Sequence, residues 1–198
     1  MQRRGFEKAR ARLVQAFKAH EALKEASSLA EYESAWTLLL TALNSVYTIL
    51  EQSCKGSARS EQWFAKAKRQ RRTDEFLRYL HHARNADEHG LAEVLVHEPA
   101  ALAINGGGGG IYIDRLIAGP DGIVELKGAA LNGGPLQVTK TPSRIVLKSV
   151  RDRGVIYDPP KTFLGEPLDD ASPVGVGGAA LEFLVHFFVE AETLLVPA

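Results

Sequence analysis

Cysteine is almost absent from this sequence, with Cys54 as the single example. One thiol cannot form an intramolecular disulfide or a zinc site made of cysteines, so both kinds of covalent or metal staple are excluded. A chain of 198 residues with 45% hydrophobic residues can bury a core without such staples. We therefore expect an ordinary globular protein, and the single cysteine favours a reducing compartment.

No targeting or membrane-spanning segment is predicted. The N-terminus MQRRGFEKARARL is charged from its start and lacks the apolar stretch of a signal peptide. The most apolar run, LEFLVHFFVEAETLLV, is interrupted by His186, Glu190 and Glu192, so we expect no membrane span. These features predict a soluble cytoplasmic protein.

Several motifs of phosphate, metal or covalent chemistry are also missing. The run NGGGGG (105–110) is followed by neither Gly-Lys-Ser/Thr nor a predicted helix, which excludes a P-loop. The sequence contains no Gly-x-Ser-x-Gly elbow and no His-Glu-x-x-His pair. Adjacent His81 and His82 would point about 100° apart on a helix, which argues against a shared metal. We expect no metal and no cofactor.

Charge is distributed unevenly although the net charge is zero. Residues 1–92 hold 16 Lys and Arg against 11 Asp and Glu, and residues 93–198 hold 8 against 13. A mildly basic first half permits a surface that faces nucleic acid, without requiring one.

Helix signals dominate that first half. Ser28 and Glu31 form a capping box, and Ser60 and Thr73 are predicted to cap a third and a fourth helix. Asn44 and Glu33 on the second helix could reach the fourth helix if the two helices pack together, but both are predicted to face water. The second helix carries apolar residues at alternating spacings of three and four, which predicts packing in an antiparallel bundle. These residues are Leu29, Tyr32, Trp36, Leu39, Leu43, Val46 and Leu50.

The second half has short β-rich runs separated by glycine and proline, namely IYIDRLI, GIVELKG, LQVT and RIVLKSV. Ser172 and Pro173 then begin a last helix. The prediction is an α+β fold, mainly an α-helical bundle (1–104). A small antiparallel β meander is inserted at 105–170, and a C-terminal helix (171–198) returns to the bundle.

Within the fourth helix, the stretch HHARNADEHG (81–90) is unusually polar. One helical stripe runs apolar, then polar, then apolar again: Leu77, His81, Arg84, Glu88, Leu91 and Leu95. A polar notch on a core-facing helix costs free energy unless its groups pair or act. One interpretation is structural: Arg84 pairs with Glu88, and His89 complements the helix C-terminus. The other interpretation is a functional site.

The functional interpretation comes from RNADEH, where an arginine is followed by a polar residue and then a histidine on a bundle helix. This pattern resembles the Arg-x(4–6)-His signature of the HEPN superfamily, with Arg84, Asn85 and His89 at the matching positions. The resemblance covers about residues 1–97. It implies a HEPN-like bundle that dimerises with both Arg/His pairs in one cleft. It also implies a metal-independent ribonuclease of toxin or defence type, or a protein that only binds RNA or a nucleotide.

The resemblance also implies roles for the residues of the notch. His89 is expected to act as general base or acid, and Arg84 to hold the phosphate. Asn85 is expected to orient either the phosphate or the histidine. His81, His82 and Glu88 are expected to support this site.

A second clue is the basic stretch WFAKAKRQRR (63–72). Its basic side chains beside two aromatic rings predict a surface that tracks an RNA backbone. The candidate RNA-binding residues are Lys66, Lys68, Arg69, Arg71 and Arg72. The alternative is a solvated helix end with Trp63 and Phe64 turned to the core.

Two classes of function therefore remain open. The first is RNA cleavage, or RNA or nucleotide binding, by a homodimer. The second is a non-catalytic interaction module that recognises a protein partner through the β insert.

Overall fold

The computed structural model describes residues 1–89, 93–107, 110–119, 122–133 and 136–195, apart from the side chains of 88–89, 118–119 and 122–124. It has a mixed α+β fold. The helices are α1 (Arg3–Glu25), α2 (Leu29–Cys54), α3 (Ala58–Thr73), α4 (Glu75–His89) and α5 (Pro173–Glu192). The strands are β1 (Leu95–Glu98), β2 (Ala101–Asn105), β3 (Ile111–Gly119), β4 (Gly122–Ala130), β5 (Gln137–Thr141), β6 (Arg144–Leu147), β7 (Val150–Asp152), β8 (Val155–Tyr157), β9 (Thr162–Phe163) and β10 (Glu166–Pro167).

The helices enclose one apolar core. The predicted stripe of α2 supplies much of it, and Trp36, Leu39, Val46 and Leu50 are all almost fully buried. Leu29 is the exception at 37% exposed, because it is the first residue of the helix.

The last helix, α5, packs against α1. The Phe6 and Phe188 rings lie 5.3 Å apart, and the His20 imidazole shares a 2.8 Å hydrogen bond with the Val174 carbonyl oxygen. Because a carbonyl only accepts, His20 Nε2 carries the proton.

Helix caps follow the sequence in part. Ser28 accepts from the Glu31 amide and Ser172 from the Gly175 amide, so both predicted caps are confirmed. The predictions for Ser60 and Thr73 are wrong. Ser57 caps α3 and Asp74 caps α4, because each stands three residues before the amide that it accepts from.

The strands form five two-stranded pairs in the part of the chain that the structure describes. Strands β3–β4, β7–β8 and β9–β10 are antiparallel hairpins of consecutive strands. The antiparallel pair β2–β5 and the pair β1–β6 are nested around the β3–β4 hairpin. A meander would instead pair each strand with the next into one sheet. The difference arises because the β3–β4 hairpin is inserted between strands that pair with each other.

The chain divides into two compact units. One contains residues 1–96 and 145–198, and the other contains residues 97–144. The domain boundaries predicted at residues 104 and 170 stay a prediction. In the first unit, the returning strands β7, β8 and β9 pack on α4, and the Tyr79 hydroxyl donates to the Lys148 carbonyl at 2.8 Å. The Phe76 and Phe163 rings lie 4.3 Å apart. This packing brings residues near position 150 beside the polar stretch of α4.

Helix α5 is long and apolar enough to cross a membrane by length and composition, with a mean hydropathy of 1.5. The sequence-based expectation was that its charges would keep it below that threshold. Helices of a soluble core pass the same test, and α5 contributes Val176, Leu184 and Ala191 to the core. Within the described residues it is the single helix with this property.

Candidate functional site

The candidate site lies where the end of α3 meets α4. Asp74 stands between the two helices, and its Oδ1 accepts from the Leu77 amide at 2.9 Å. Its Oδ2 accepts from the Leu164 amide at 2.9 Å, which ties the returning segment to the same point. This one-residue connection holds the basic end of α3 beside the first two turns of α4.

An open pocket of about 250 Å³ lies between these helices. Its lining residues all carry basic or imidazole side chains: Lys68, Arg71, Arg72, Arg78, His81 and His82. The structure therefore joins the two stretches that the sequence singled out separately, the basic end of α3 and the polar notch of α4. Such a wall attracts anions, phosphate groups above all.

Arg71 is the best-fixed cation of this pocket. Its Nη2 donates to Asn44 Oδ1 at 2.9 Å and to His81 Nδ1 at 2.6 Å. Its guanidinium carbon also lies 4.7 Å from the centre of the Tyr47 ring. Asn44, predicted to face water, is therefore half-buried on the site instead. These contacts hold the guanidinium in one orientation before any ligand arrives.

His81 is an acceptor in this arrangement. A guanidinium has no acceptor, so His81 Nδ1 must carry a lone pair and the ring must be neutral. Burial, with the nearby Arg71 charge as the second cause, lowers the pKa of His81 from 6.5 to about 4. Arg71, His81 and Asn44 also line a small cavity of about 30 Å³ whose other walls are mostly apolar, which accounts for the poor solvation.

His82 has the opposite hydrogen-bonding role. Its Nδ1 lies 2.7 Å from Asp152 Oδ2, and the same oxygen accepts from Asn85 Nδ2 at 2.9 Å. These two hydrogen bonds lower the pKa of Asp152, and the one from Asn85 has the larger effect. The His82 ring also stacks on Tyr157 with 3.6 Å between centroids and an 11° interplanar angle. The imidazole is thus fixed by a carboxylate on one edge and by an aromatic face.

The pocket keeps a positive charge after its own ion pairs are formed. Lys68 pairs with Glu51, and Asp152 is engaged by His82 and Asn85. Within the described residues, Arg72 and Arg78 form no ion pair, and both side chains are exposed. The Arg78 guanidinium lies 5.9 Å from the Tyr157 ring centre. Two arginines are therefore available to an incoming anion.

The residues of the predicted Arg84, Asn85 and His89 site have separate positions. Arg84 is half-buried on α4, and its Nη1 donates to Asn85 Oδ1 at 3.4 Å. Asn85 joins Asp152, as described above. The side chains of Glu88 and His89 lie outside the described residues, so neither the Arg84–Glu88 pair nor the Arg84–His89 pair is tested.

The predicted RNA-binding stretch on α3 is divided. Lys68, Arg71 and Arg72 line the basic pocket, whereas Lys66 lines a separate cavity of about 520 Å³ beside α5. Arg69 is exposed outside both.

The aromatic side chains of this stretch are engaged inside the protein. Trp63 stacks on Phe187 with centroids 4.4 Å apart, and its Nε1 donates to Glu190 at 3.0 Å. Phe64 is buried. The alternative that turned both rings to the core describes them better than RNA stacking.

Sequence reasoning missed Asp152 and Tyr157, and it favoured a water-facing position for Asn44. Asp152 stands 70 positions from His82, and the sequence around it gives no local sign of a partner. In the described part of the chain, no group of three or more His, Cys, Asp or Glu side chains could hold a metal ion.

Comparison with protein-family models, with curated proteins and with solved structures gave no match for this chain.

Proposed function

We propose that the protein binds RNA or a nucleotide through phosphate groups in the basic pocket between α3 and α4. The observation that carries the proposal is that four cations and two imidazoles, drawn from both helices, line one open cavity. Arginine forms paired hydrogen bonds with phosphate oxygens, and an arginine held in place before binding loses little entropy on contact. Arg71 provides such a fixed guanidinium.

The cavity is matched to part of a nucleotide. A volume of about 250 Å³ accommodates a phosphate with its sugar, and the open mouth leaves room for a chain to continue. In this proposal Arg72 and Arg78, which line the pocket with exposed side chains, contact neighbouring phosphates along a strand. RNA and a free nucleotide share this phosphate chemistry, and a competition experiment separates them.

The HEPN-like assignment and RNA cleavage at Arg84, Asn85 and His89 belong to the same proposal. Its support is the position of Asn85, whose amide takes part in the polar network that reaches the pocket through Asp152 and His82. The assignment implies a homodimer.

The test is a fluorescence-anisotropy titration of a labelled single-stranded RNA over a series of salt concentrations. An Arg72→Ala/Arg78→Ala variant removes two exposed cations of the pocket. We expect its affinity to fall by about 10- to 100-fold, and the slope of log affinity against log salt to decrease by about 0.7 per lost phosphate contact.

The matched control is Arg69→Ala, which removes an exposed arginine of the same helix outside the pocket. It should change affinity less than about threefold. Equal losses in both variants, or no binding by the wild type, would contradict the pocket as a phosphate site. Displacement of the labelled RNA by a free nucleoside monophosphate would favour the nucleotide as ligand.

A second candidate function, an interaction module, is favoured by the unit of residues 97–144. Large apolar side chains are exposed on its strands and at the turn after β4: Ile111, Tyr112, Ile113, Leu116, Ile117, Leu131 and Val138. Among its described hydrophobic residues, Ala130 alone is buried. Exposed apolar strands are typical of protein-binding surfaces. Sedimentation velocity over a concentration series tests self-association, which a Leu116→Lys change should abolish while Lys140→Ala leaves it intact.

A further inference from the structure

We infer that His82, oriented by Asp152, is the general base of an RNA-cleaving reaction in the basic pocket. This inference rests on the proposed function and names its reaction. It assigns the general base to His82 in place of His89, the histidine of the Arg-x(4–6)-His pattern, so the two histidines are alternative bases for the same cleavage.

The hydrogen-bond partner of His82 fixes the position of the proton on its ring. Asp152 Oδ2 accepts from Asn85 Nδ2 and lies 2.7 Å from His82 Nδ1. Because the two hydrogen bonds stabilise the carboxylate form, Asp152 is an acceptor, and Nδ1 of the imidazole must be the donor. The lone pair of the neutral ring then lies on Nε2. This is the tautomer that a base acting through Nε2 requires.

Two contacts fix the orientation of the His82 ring. The Asp152 contact fixes one edge, and Tyr157 covers one face at a centroid separation of 3.6 Å. The side chain of His82 is 19% exposed, and that of Asp152 is 13% exposed. A base fixed at two points and still open to a pocket needs little reorganisation when substrate binds.

Positively charged side chains lie in the same pocket as the base. His82 lines the same cavity as Arg71, Arg72 and Arg78. Negative charge increases on the non-bridging oxygens of a phosphodiester during attack. Guanidinium groups that hold these oxygens would stabilise that charge. His81 cannot take the role of base through Nδ1, because that nitrogen already accepts from Arg71.

The reaction that these groups support is internal transesterification of RNA. His82 Nε2 takes the proton of a ribose 2′-hydroxyl, and the 2′-oxygen attacks the adjacent phosphorus. The bond between O2′ and phosphorus forms as the bond between phosphorus and O5′ breaks. The leaving 5′-oxygen takes a proton from water, and His82 later releases its proton to solvent. The products are a 2′,3′-cyclic phosphate and a 5′-hydroxyl, so DNA is not cleaved.

The test follows cleavage of a 5′-labelled single-stranded RNA of randomised sequence in EDTA, with the matching DNA beside it. Wild type, His82→Phe and Asp152→Asn are compared with His186→Ala, an exposed histidine outside the pocket. Phenylalanine keeps a ring against Tyr157 and removes both nitrogens. We expect cleavage by His82→Phe to fall by about 100-fold or more, well beyond its loss of RNA affinity, and His186→Ala to cleave normally.

Asp152 is a positioning residue, and it is tested by measuring kcat and KM separately. In Asp152→Asn the amide can donate to His82, which favours the wrong tautomer. We expect kcat to fall by about 10²- to 10⁴-fold while KM stays within about threefold of the wild type. A purely structural loss would change both, together with the circular-dichroism melting curve.

Three results would overturn the inference. One is wild-type RNA binding without cleavage, which leaves phosphate binding in the basic pocket intact and removes every cleavage assignment. Another is equal cleavage by wild type and His82→Phe, and a third is cleavage of the DNA. Absence of RNA binding by the wild type would instead remove the RNA-binding part of the proposed function, and the inference with it.

Discussion

His81 and His82 are neighbours in sequence with ring centroids 4.9 Å apart, yet they belong to two different regions of the molecule. His81 belongs to the helical side, where Arg71 of α3 donates to its Nδ1. His82 belongs to the strand side, where Asp152 of β7 and Tyr157 of β8 hold its ring. Successive side chains on a helix diverge by about 100°, so one residue step crosses from one region to the other.

The comparison shows that the partner decides the role of an imidazole. A partner that can only donate makes His81 a neutral acceptor, and its function is to hold Arg71. A partner that can only accept makes His82 a donor through Nδ1 and leaves Nε2 for a ligand. Residue type and proximity alone would have given both histidines the same role.

The largest effect expected on stability is that of Arg71→Ala. The change removes the donor to Asn44 Oδ1 and His81 Nδ1, and both atoms lie beside a mostly apolar cavity where water replaces it poorly. It also uncovers the Tyr47 ring. We expect the free energy of unfolding to fall by about 3 kcal/mol, measured by urea denaturation.

The matched control is Arg78→Ala, in which an exposed arginine of the same pocket is removed. It should cost less than about 0.5 kcal/mol, because surface substitutions rarely cost more. Similar losses in the two variants would contradict the distinction between a fixed arginine on the His81 side and an exposed one near Tyr157.

The next effect is the pH dependence that His81 contributes. The pKa of His81 is about 4 in the folded protein, against an ordinary value of 6.5. Between these values the unfolded chain binds more protons, so the free energy of unfolding decreases as pH falls from 6.5 towards 4. The charged groups near the ring are Arg71, Arg84 and Asp152, with His82 beside it. The contribution should be roughly 2 kcal/mol over this window.

The measurement compares wild type with His81→Asn by urea denaturation between pH 4 and pH 7. Asparagine retains an acceptor for Arg71 and has no proton to gain. The wild type should lose more stability than the variant on acidification. If the free energy of unfolding of the two proteins had the same pH dependence, His81 would not be held neutral. The two histidines would then not differ in the way described above.

Features of the fold that depend on nearby residues were predicted better than features that depend on distant ones. Caps at Ser28 and Ser172 were predicted because a cap depends on residues within one turn. The caps of α3 and α4 were misassigned because each prediction stood within three residues of a competing serine or aspartate. The nested order of β1–β6 and β2–β5 depends on pairing between distant segments, which local patterns do not encode.

The candidate site was predictable to a similar extent. Arg71 and His81 are ten positions apart across a one-residue connection between helices, so their stretches had to lie close together. Asp152 approaches α4 through the packing of the returning strands, 67 positions from Asn85. Its role depends on tertiary structure, and no sequence spacing indicates it.

A smaller effect is expected on the strand side, from Tyr157→Leu. The change removes the stacked face under His82 and the ring near Arg78. We expect a loss of about 1 kcal/mol in the free energy of unfolding, the usual value of an aromatic pair beyond its buried area. Tyr157→Phe keeps the ring and should differ from wild type by only a few tenths of that amount. Equal losses in the two variants would show that the hydroxyl, and not the stack, supports His82.

The smallest effect tests the charge of the pocket. Lys68 lines the pocket but is paired with Glu51, and the two side chains are 47% and 39% exposed. An exposed ion pair contributes less than about 1 kcal/mol, so Glu51→Gln should leave stability nearly unchanged. Because the change frees the Lys68 ammonium, RNA affinity should rise by about two- to fivefold at low salt, and the rise should disappear at high salt. Anisotropy titration at two salt concentrations measures it, with Glu7→Gln as the control for an exposed acid far from the pocket in sequence. A rise of equal size in Glu7→Gln would mean that the overall charge of the protein, and not the pocket, attracts the RNA.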